Sequence, residues 1–104
     1  MRAADLAKDR EWSRAVLTRD HRDGHDTCRW CGGIDGVTPH HIIKRRFREF
    51  RWQVENGLSF CYRCHEYAER NPKEGLARCR LILGIDKETD TRQWLRDQRS
   101  KTPR

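Results

Sequence analysis

Four cysteines stand in two C-x-x-C pairs, Cys28 with Cys31 and Cys61 with Cys64. Each pair offers two soft thiolates from a single turn, and two pairs complete the four ligands, at ~2.3 Å, of a closed tetrahedral zinc site. Gly32 and Gly33 follow Cys31 and permit a tight turn around a bound ion. A dithiol redox motif needs only one pair, and unligated core cysteines have no reason to be spaced in matched pairs. In a reducing compartment the spacing favours metal over disulfides, so a structural zinc is expected. Cys79 stands apart, on a helical pattern with Leu76, Ile82 and Leu83, and reads as a small core residue. The histidines divide in a similar way. His40, His41 and His65 share a spacing frame with the cysteines, whereas His21 and His25 lie in a polar stretch with no matching partner. His40 and His41 are consecutive, so on a strand they point to opposite faces and cannot easily do the same job.

Periodicity marks the elements that must position these groups. Trp12, Ala15, Val16 and Arg19 fall at helical intervals, which predicts a short amphipathic helix over residues 9–19. The polar stretch from Asp20 to His25 contains Gly24 and reads as loop. Residues 37–43 (VTPHHII) are rich in β-branched side chains and predict a strand, with Pro39 favouring an edge or a strand start. Residues 53–60 (QVENGLSF) offer an Asn56-Gly57 turn pair, then Leu58 and Phe60 alternating as in a second strand. One helix is expected from about Tyr62 to Asn71, ended by Pro72, and another over 73–83, closed by Gly84. A last helix is expected over 89–100, before a basic tail. With no internal repeat and no long linker, residues 1–104 read as one domain.

Three segments carry a family resemblance: PHHII at Pro39–Ile43, ENGL at Glu55–Leu58 and CYRCH at Cys61–His65. In that order, interleaved with the cysteine pairs, they resemble the four-cysteine branch of the HNH endonucleases. WSRAVLTRD, Trp12–Asp20, looks like the helix that commonly precedes the first zinc pair. The resemblance covers residues 12–69 and leaves a helical extension, 73–104, outside it. It implies an α+β fold, a small zinc-stapled ββα-metal, treble-clef-like domain with flanking helices. It also implies a metal-dependent endonuclease that hydrolyses DNA phosphodiesters with one catalytic divalent cation. By the family pattern His40 binds that metal and His41 is the general base. His65 reaches the same metal from a helix start, and Asn56 pins a loop and orients the base. These residue types suit such a reaction, since a phosphodiester's charge repels nucleophiles, a divalent ion neutralises it, and a neutral histidine accepts a proton near pH 7. A common form of the pattern has Asp where this chain has His40. Imidazole shifts the metal preference toward Zn2+, Ni2+ or Mn2+ over Mg2+.

Charge points the same way. Lys and Arg total 23 against 16 Asp and Glu, a formal +7, which favours a polyanionic partner such as DNA. Lys44, Arg45, Arg46, Arg48 and Arg51 lie between His41 and Asn56 with Phe47, Phe50 and Trp52 interleaved. The aromatics are expected to anchor this segment while the cations face out to phosphate, the arginines by paired hydrogen bonds. Such contacts position a duplex without reading its bases. Only 35% of the chain is hydrophobic, so the core must be thin and a metal staple is a common remedy. No apolar run approaches the ~20 residues of a membrane span, and the charged N-terminus lacks the apolar centre of a secretory signal. A cytoplasmic protein with no membrane contact is the expectation. Two other readings use the same residues. One is a zinc-dependent nucleic-acid or protein-binding module, which has no use for His41 or Asn56. The other is a component active only with a protein partner, as in small phage-encoded HNH proteins that assist the terminase in DNA packaging.

Overall fold

The first helix, α1, spans Ala3–Arg22, longer at both ends than the apolar spacing suggests. Its buried face is Asp5, Trp12, Val16 and Asp20, so two of its inward positions are carboxylates. Hydrophobic periodicity does not register such positions, which are satisfied by Arg48 for Asp5 and by Arg19 and Arg29 for Asp20. The computed structural model describes residues 2–101, and residues 102–104 of the expected basic tail lie outside them.

After α1 a loop carries the first cysteine pair to β1 (Thr38–His41). A short helix, α2 (Arg48–Arg51), and a 3-10 turn (Val54–Asn56) lead to β2 (Gly57–Phe60). Three helices follow: α3 (Tyr62–Arg70), α4 (Pro72–Leu83) and α5 (Thr91–Lys101). The strands pair antiparallel, with His40 opposite Leu58 and His41 opposite Gly57, giving a small α+β structure. β2 covers the expected alternation of Leu58 and Phe60, while β1 ends at His41, short of the expected 37–43. The cause is Asn56, whose side chain accepts from the Ile43 N–H (2.7 Å) and donates to the Ile43 carbonyl (3.0 Å). An amide side chain thus takes over where the ladder would continue, and Asn56-Gly57 is no hairpin turn. Pro72 opens α4, where its missing N–H costs nothing. Gly84, in a left-handed conformation (φ 69°), closes that helix.

Cys28, Ile42, Leu58, Phe60, Cys61, Ala68 and Cys79 form one apolar cluster, and Ile43, Phe50 and Leu95 a second. Burial pushes the Cys79 thiol up to about 12, as suits an inert core residue. The second cluster seats α5 beneath the basic segment, where Arg96 and Arg99 pair with Glu49 at 2.7 and 3.2 Å. Among the described residues no helix is long and apolar enough to cross a membrane.

Asp20, read from sequence as the first residue of a polar loop, is 1% exposed. Its Oδ1 accepts from Arg19 and Arg29, each at 2.8 Å, and its Oδ2 from the Ser59 N–H at 3.0 Å. One carboxylate therefore joins the end of α1, the first cysteine turn and β2. Burial raises its pKa, but the bonds from Ser59 and Arg19 outweigh that and hold the carboxyl below its usual range. A depressed folded-state pKa stabilises above the unfolded value of ~3.9, and that stabilisation is lost as pH falls through the folded one. Asp20→Asn leaves two guanidinium groups facing a neutral amide and is expected to cost about 3 kcal/mol at pH 7 in urea unfolding. The gap between parent and variant should shrink as pH drops below ~4, and a constant gap would show that the carboxylate charge is irrelevant.

Candidate functional site

The first cysteine turn is a compact backbone knuckle. The Cys28 N–H donates to the Gly33 carbonyl (2.8 Å) and the Gly32 N–H to the Cys28 carbonyl (2.9 Å). Gly32 sits at φ 80°, a conformation that favours glycine. The N–H groups of Trp30 and Cys31 approach Cys28 Sγ at 3.4 and 3.5 Å, and that of Gly33 approaches Cys31 Sγ at 3.3 Å. Cys61 leaves β2 as the cap residue of α3, and Cys64 lies in that helix's first turn. The four sulfurs all lie within 4.8 Å of one another, Cys31 and Cys61 at 3.6 Å. A tetrahedral ion with ~2.3 Å bonds to sulfur spaces its ligands about 3.8 Å apart, so the donors and their spacing fit zinc. Burial raises the Cys28 thiol, but N–H groups of Cys31, Cys61 and Trp30 more than offset it and bring the pKa down to about 7. Cys64 is pushed up by burial and by the three thiols around it, the response of a crowded set that a cation would reverse.

A second group that can hold a metal ion is His40, His65 and Glu69, again with ligand atoms within 4.8 Å. His40 Nδ1 lies 3.3 Å from His65 Nδ1 and 3.7 Å from Glu69 Oε1. Two imidazoles and a carboxylate at this spacing suit a borderline divalent ion with ~2.1 Å bonds. His40 is 4% exposed and stacked on Phe60, ring centroids 5.0 Å apart. Burial and the neighbouring His65 lower its pKa to about 4, so at neutral pH it offers a lone pair. Burial raises the Glu69 carboxyl, but Lys44, whose Nζ is 3.0 Å from Oε2, outweighs it and keeps the group ionised. Sequence reasoning missed Glu69 because an acidic residue on an exposed helix face looks like solvated surface. The available signal was its i+4 spacing from His65, which puts both side chains over one turn.

His41 points to the other face of β1, toward α1. Its ring lies parallel to Trp12, centroids 3.8 Å apart and planes 7° apart. Its Nε2 is 2.9 Å from the Arg51 carbonyl. A carbonyl only accepts, so Nε2 carries the hydrogen and Nδ1 is left with the basic lone pair. Burial lowers the His41 pKa, opposed in part by the Arg51 carbonyl and by Asp9. Asn56 is fully buried, and besides holding Ile43 it donates to the Phe50 carbonyl at 3.1 Å. It thereby fixes the segment whose next carbonyl holds His41. A cleft of about 450 Å3 is lined by His41, His65 and Glu69, with Lys44, Arg45 and Arg46 at its edge and Trp12 and Ser13 of α1 opposite. His40 is buried and is not among the residues that line it.

The basic segment differs from the expected outward row. Lys44, Arg45 and Arg46 line the cleft. Arg51 turns inward, only 7% exposed, with Nε and Nη2 on the Asp9 carboxylate at 3.0 and 2.8 Å. Arg48 is held by Asp5 at 3.0 and 3.2 Å. The carboxylates of α1 claim both side chains, so the expectation that all five cations face phosphate is corrected for Arg51 and, in part, for Arg48.

No family model, no curated protein and no solved structure matches the chain. Residue chemistry and geometry are therefore the grounds for a functional reading.

Protein purified without added metal is expected to carry about one zinc per chain, lost together with the fold on strong chelation. Cobalt substitution should give the intense near-ultraviolet bands of a tetrahedral thiolate site, abolished in Cys28→Ser and kept in Cys79→Ala. A folded, metal-free sample would contradict this.

Proposed function

We propose that the protein is a metal-dependent DNA endonuclease of the HNH type, built on a zinc-stapled ββα-metal, treble-clef-like core. The observation that carries the reading is His41: its Nε2–H is committed to the Arg51 carbonyl, leaving a basic Nδ1 on a ring that lines the same cleft as His65 and Glu69. Two strands followed by α3, with the four cysteines at the strand–helix junction, agree with it. In this reading Cys28, Cys31, Cys61 and Cys64 hold a structural zinc, and His40, His65 and Glu69 hold the catalytic divalent ion. When bound, that ion supplies charge neutralisation at the phosphodiester and its departing oxygen.

His41 Nδ1 takes a proton from water as the water oxygen bonds to phosphorus. The bond from phosphorus to the 3′ oxygen breaks, and that oxygen is protonated from solvent, leaving 3′-hydroxyl and 5′-phosphate ends. Arg45 and Arg46 neutralise and align flanking phosphates, and Lys44 adds positive charge while pairing Glu69. Asn56 keeps the Arg51 carbonyl where His41 needs it. None of these contacts selects a base, so binding with little sequence preference is expected.

Plasmid nicking with added Mn2+, Ni2+, Zn2+ or Mg2+, before and after EDTA, tests the reading, and nicks should be sealed directly by ligase. His41→Ala should keep fold and DNA binding and lose cleavage by roughly 100-fold or more. His40→Ala, His65→Ala and Glu69→Ala should recover part of theirs in excess Mn2+, because metal refills a weakened site but cannot replace a base. Only neutral His41 accepts a proton and burial lowers its pKa, so at saturating metal the rate should stay level through pH 7 and down past the ~6.5 of an ordinary imidazole, falling only at more acid pH. A parent protein that cuts no DNA with any of these metals would leave DNA binding without catalysis.

The two kinds of arginine should separate in binding assays. Arg45→Ala with Arg46→Ala should flatten the dependence of log K on log salt by about two phosphates' worth. Arg51→Ala should instead lower the melting temperature. An unchanged salt slope in the double variant would show that the cleft edge does not meet phosphate.

A further inference from the structure

We infer that Trp12 is a positioning residue for His41, fixing the plane of the imidazole so that Nδ1 addresses the cleft; this rests on the reading of His41 as the general base. One hydrogen bond from Nε2 to a carbonyl does not set a ring's orientation, because the ring can still swing about that bond. A planar group lying flat against the ring removes the remaining freedom. Trp12 lies that way, 3.8 Å between centroids and 7° between planes.

The stack is built from several sides. Trp12 is itself 4% exposed and immobilised, its Nε1–H donating to the Gln53 carbonyl at 2.8 Å. Gln53 caps the 3-10 turn that ends in Asn56, so indole and imidazole are tied to the same connecting segment. The strand partner of His41 is Gly57. A Cβ there would sit 2.7 Å from Trp12 Cζ2 and 2.5 Å from Val16 Cγ2. Gly57 has extended backbone, φ −141°, that any residue adopts, so the glycine is needed for space and not for conformation. Its missing side chain is the slot through which α1 delivers the indole to His41. The indole has no proton to exchange at Nδ1, so it acts through His41 alone. Its face attracts cations, so the contact persists when the imidazole takes up a proton.

The test compares Trp12→Phe and Trp12→Leu in the full chain, in parent and His41→Ala backgrounds, by steady-state cleavage over a range of DNA concentrations at saturating Mn2+. Trp12→Leu should lower kcat by about tenfold or more with KM for DNA little changed, and Trp12→Phe, which keeps a flat face, should retain most of the rate. In the His41→Ala background Trp12→Leu should have little further effect, because no ring remains to be positioned. A parent-like kcat for Trp12→Leu, or the same loss in both backgrounds, overturns the inference. A second measurement needs neither activity nor a folded variant. In the nitrogen-15 histidine spectrum of the parent, His41 should be the Nε2–H tautomer, its carbon-bound ring protons displaced upfield by the indole. Absence of that displacement also overturns the inference. If the parent cuts no DNA with any metal, the nuclease reading fails, and the spectrum of folded Trp12→Leu decides this one: loss of the fixed ring orientation, read from the Overhauser contacts of the His41 ring protons, supports it and retention of that orientation overturns it.

Discussion

Four thiols brought together from two turns are the constraint on which the other features depend. Cys61 and Cys64 are the cap and first turn of α3, so whatever holds those sulfurs also fixes the residue that follows, His65. The first pair reaches them on a knuckle stitched to β2 by the Arg29 N–H on the Ser59 carbonyl at 2.8 Å. Asp20 closes the same joint from the side of α1. With so few buried apolar side chains, charge-assisted bonds supply, and a metal on the four thiols would add, the rigidity that a larger core would otherwise give.

Around that joint a two-stranded sheet does more than its size suggests. Alternation along β1 sends His40 toward Phe60, His65 and Glu69, and His41 toward Trp12. The environments differ accordingly: a dry corner beside a carboxylate on one face, a flat aromatic wall and a carbonyl on the other. The connecting segment could not be left loose, since its Arg51 carbonyl sets the tautomer of His41. Asn56 supplies three hydrogen bonds to it, and α5 backs it through Gln53, which donates to the Leu95 carbonyl at 2.6 Å. The helical extension outside the family resemblance thus supports the segment that the proposed chemistry leans on.

Local patterns were legible and remote charge pairing was not. The C-x-x-C pairs, the histidine pair and the helices near α3, α4 and α5 announce themselves through spacing of a few residues, and the structure gathers the four cysteines. The true length of α1 was hidden because its inward aspartates are satisfied by Arg48, Arg51 and Arg29, which no local period links to them. For the same reason Arg51 looked like an outward cation. Asn56-Gly57 looked like a hairpin turn. The resemblance already gave Asn56 a loop to pin, and what local pattern hid is the part of Gly57, whose bare Cα admits Trp12. Glu69 was overlooked because exposed carboxylates on helices are common, and only the positions of His40 and His65 give this one a purpose.

The most direct measurement is anomalous diffraction at the zinc and manganese absorption edges from crystals of the full chain soaked in Mn2+. The proposed division of the histidine pair predicts a zinc peak bonded to Cys28, Cys31, Cys61 and Cys64. It also predicts a manganese peak bonded to His40, His65 and Glu69, with His41 unligated beside it. A manganese peak bonded to His41, or no peak in the cleft at saturating metal, would contradict it.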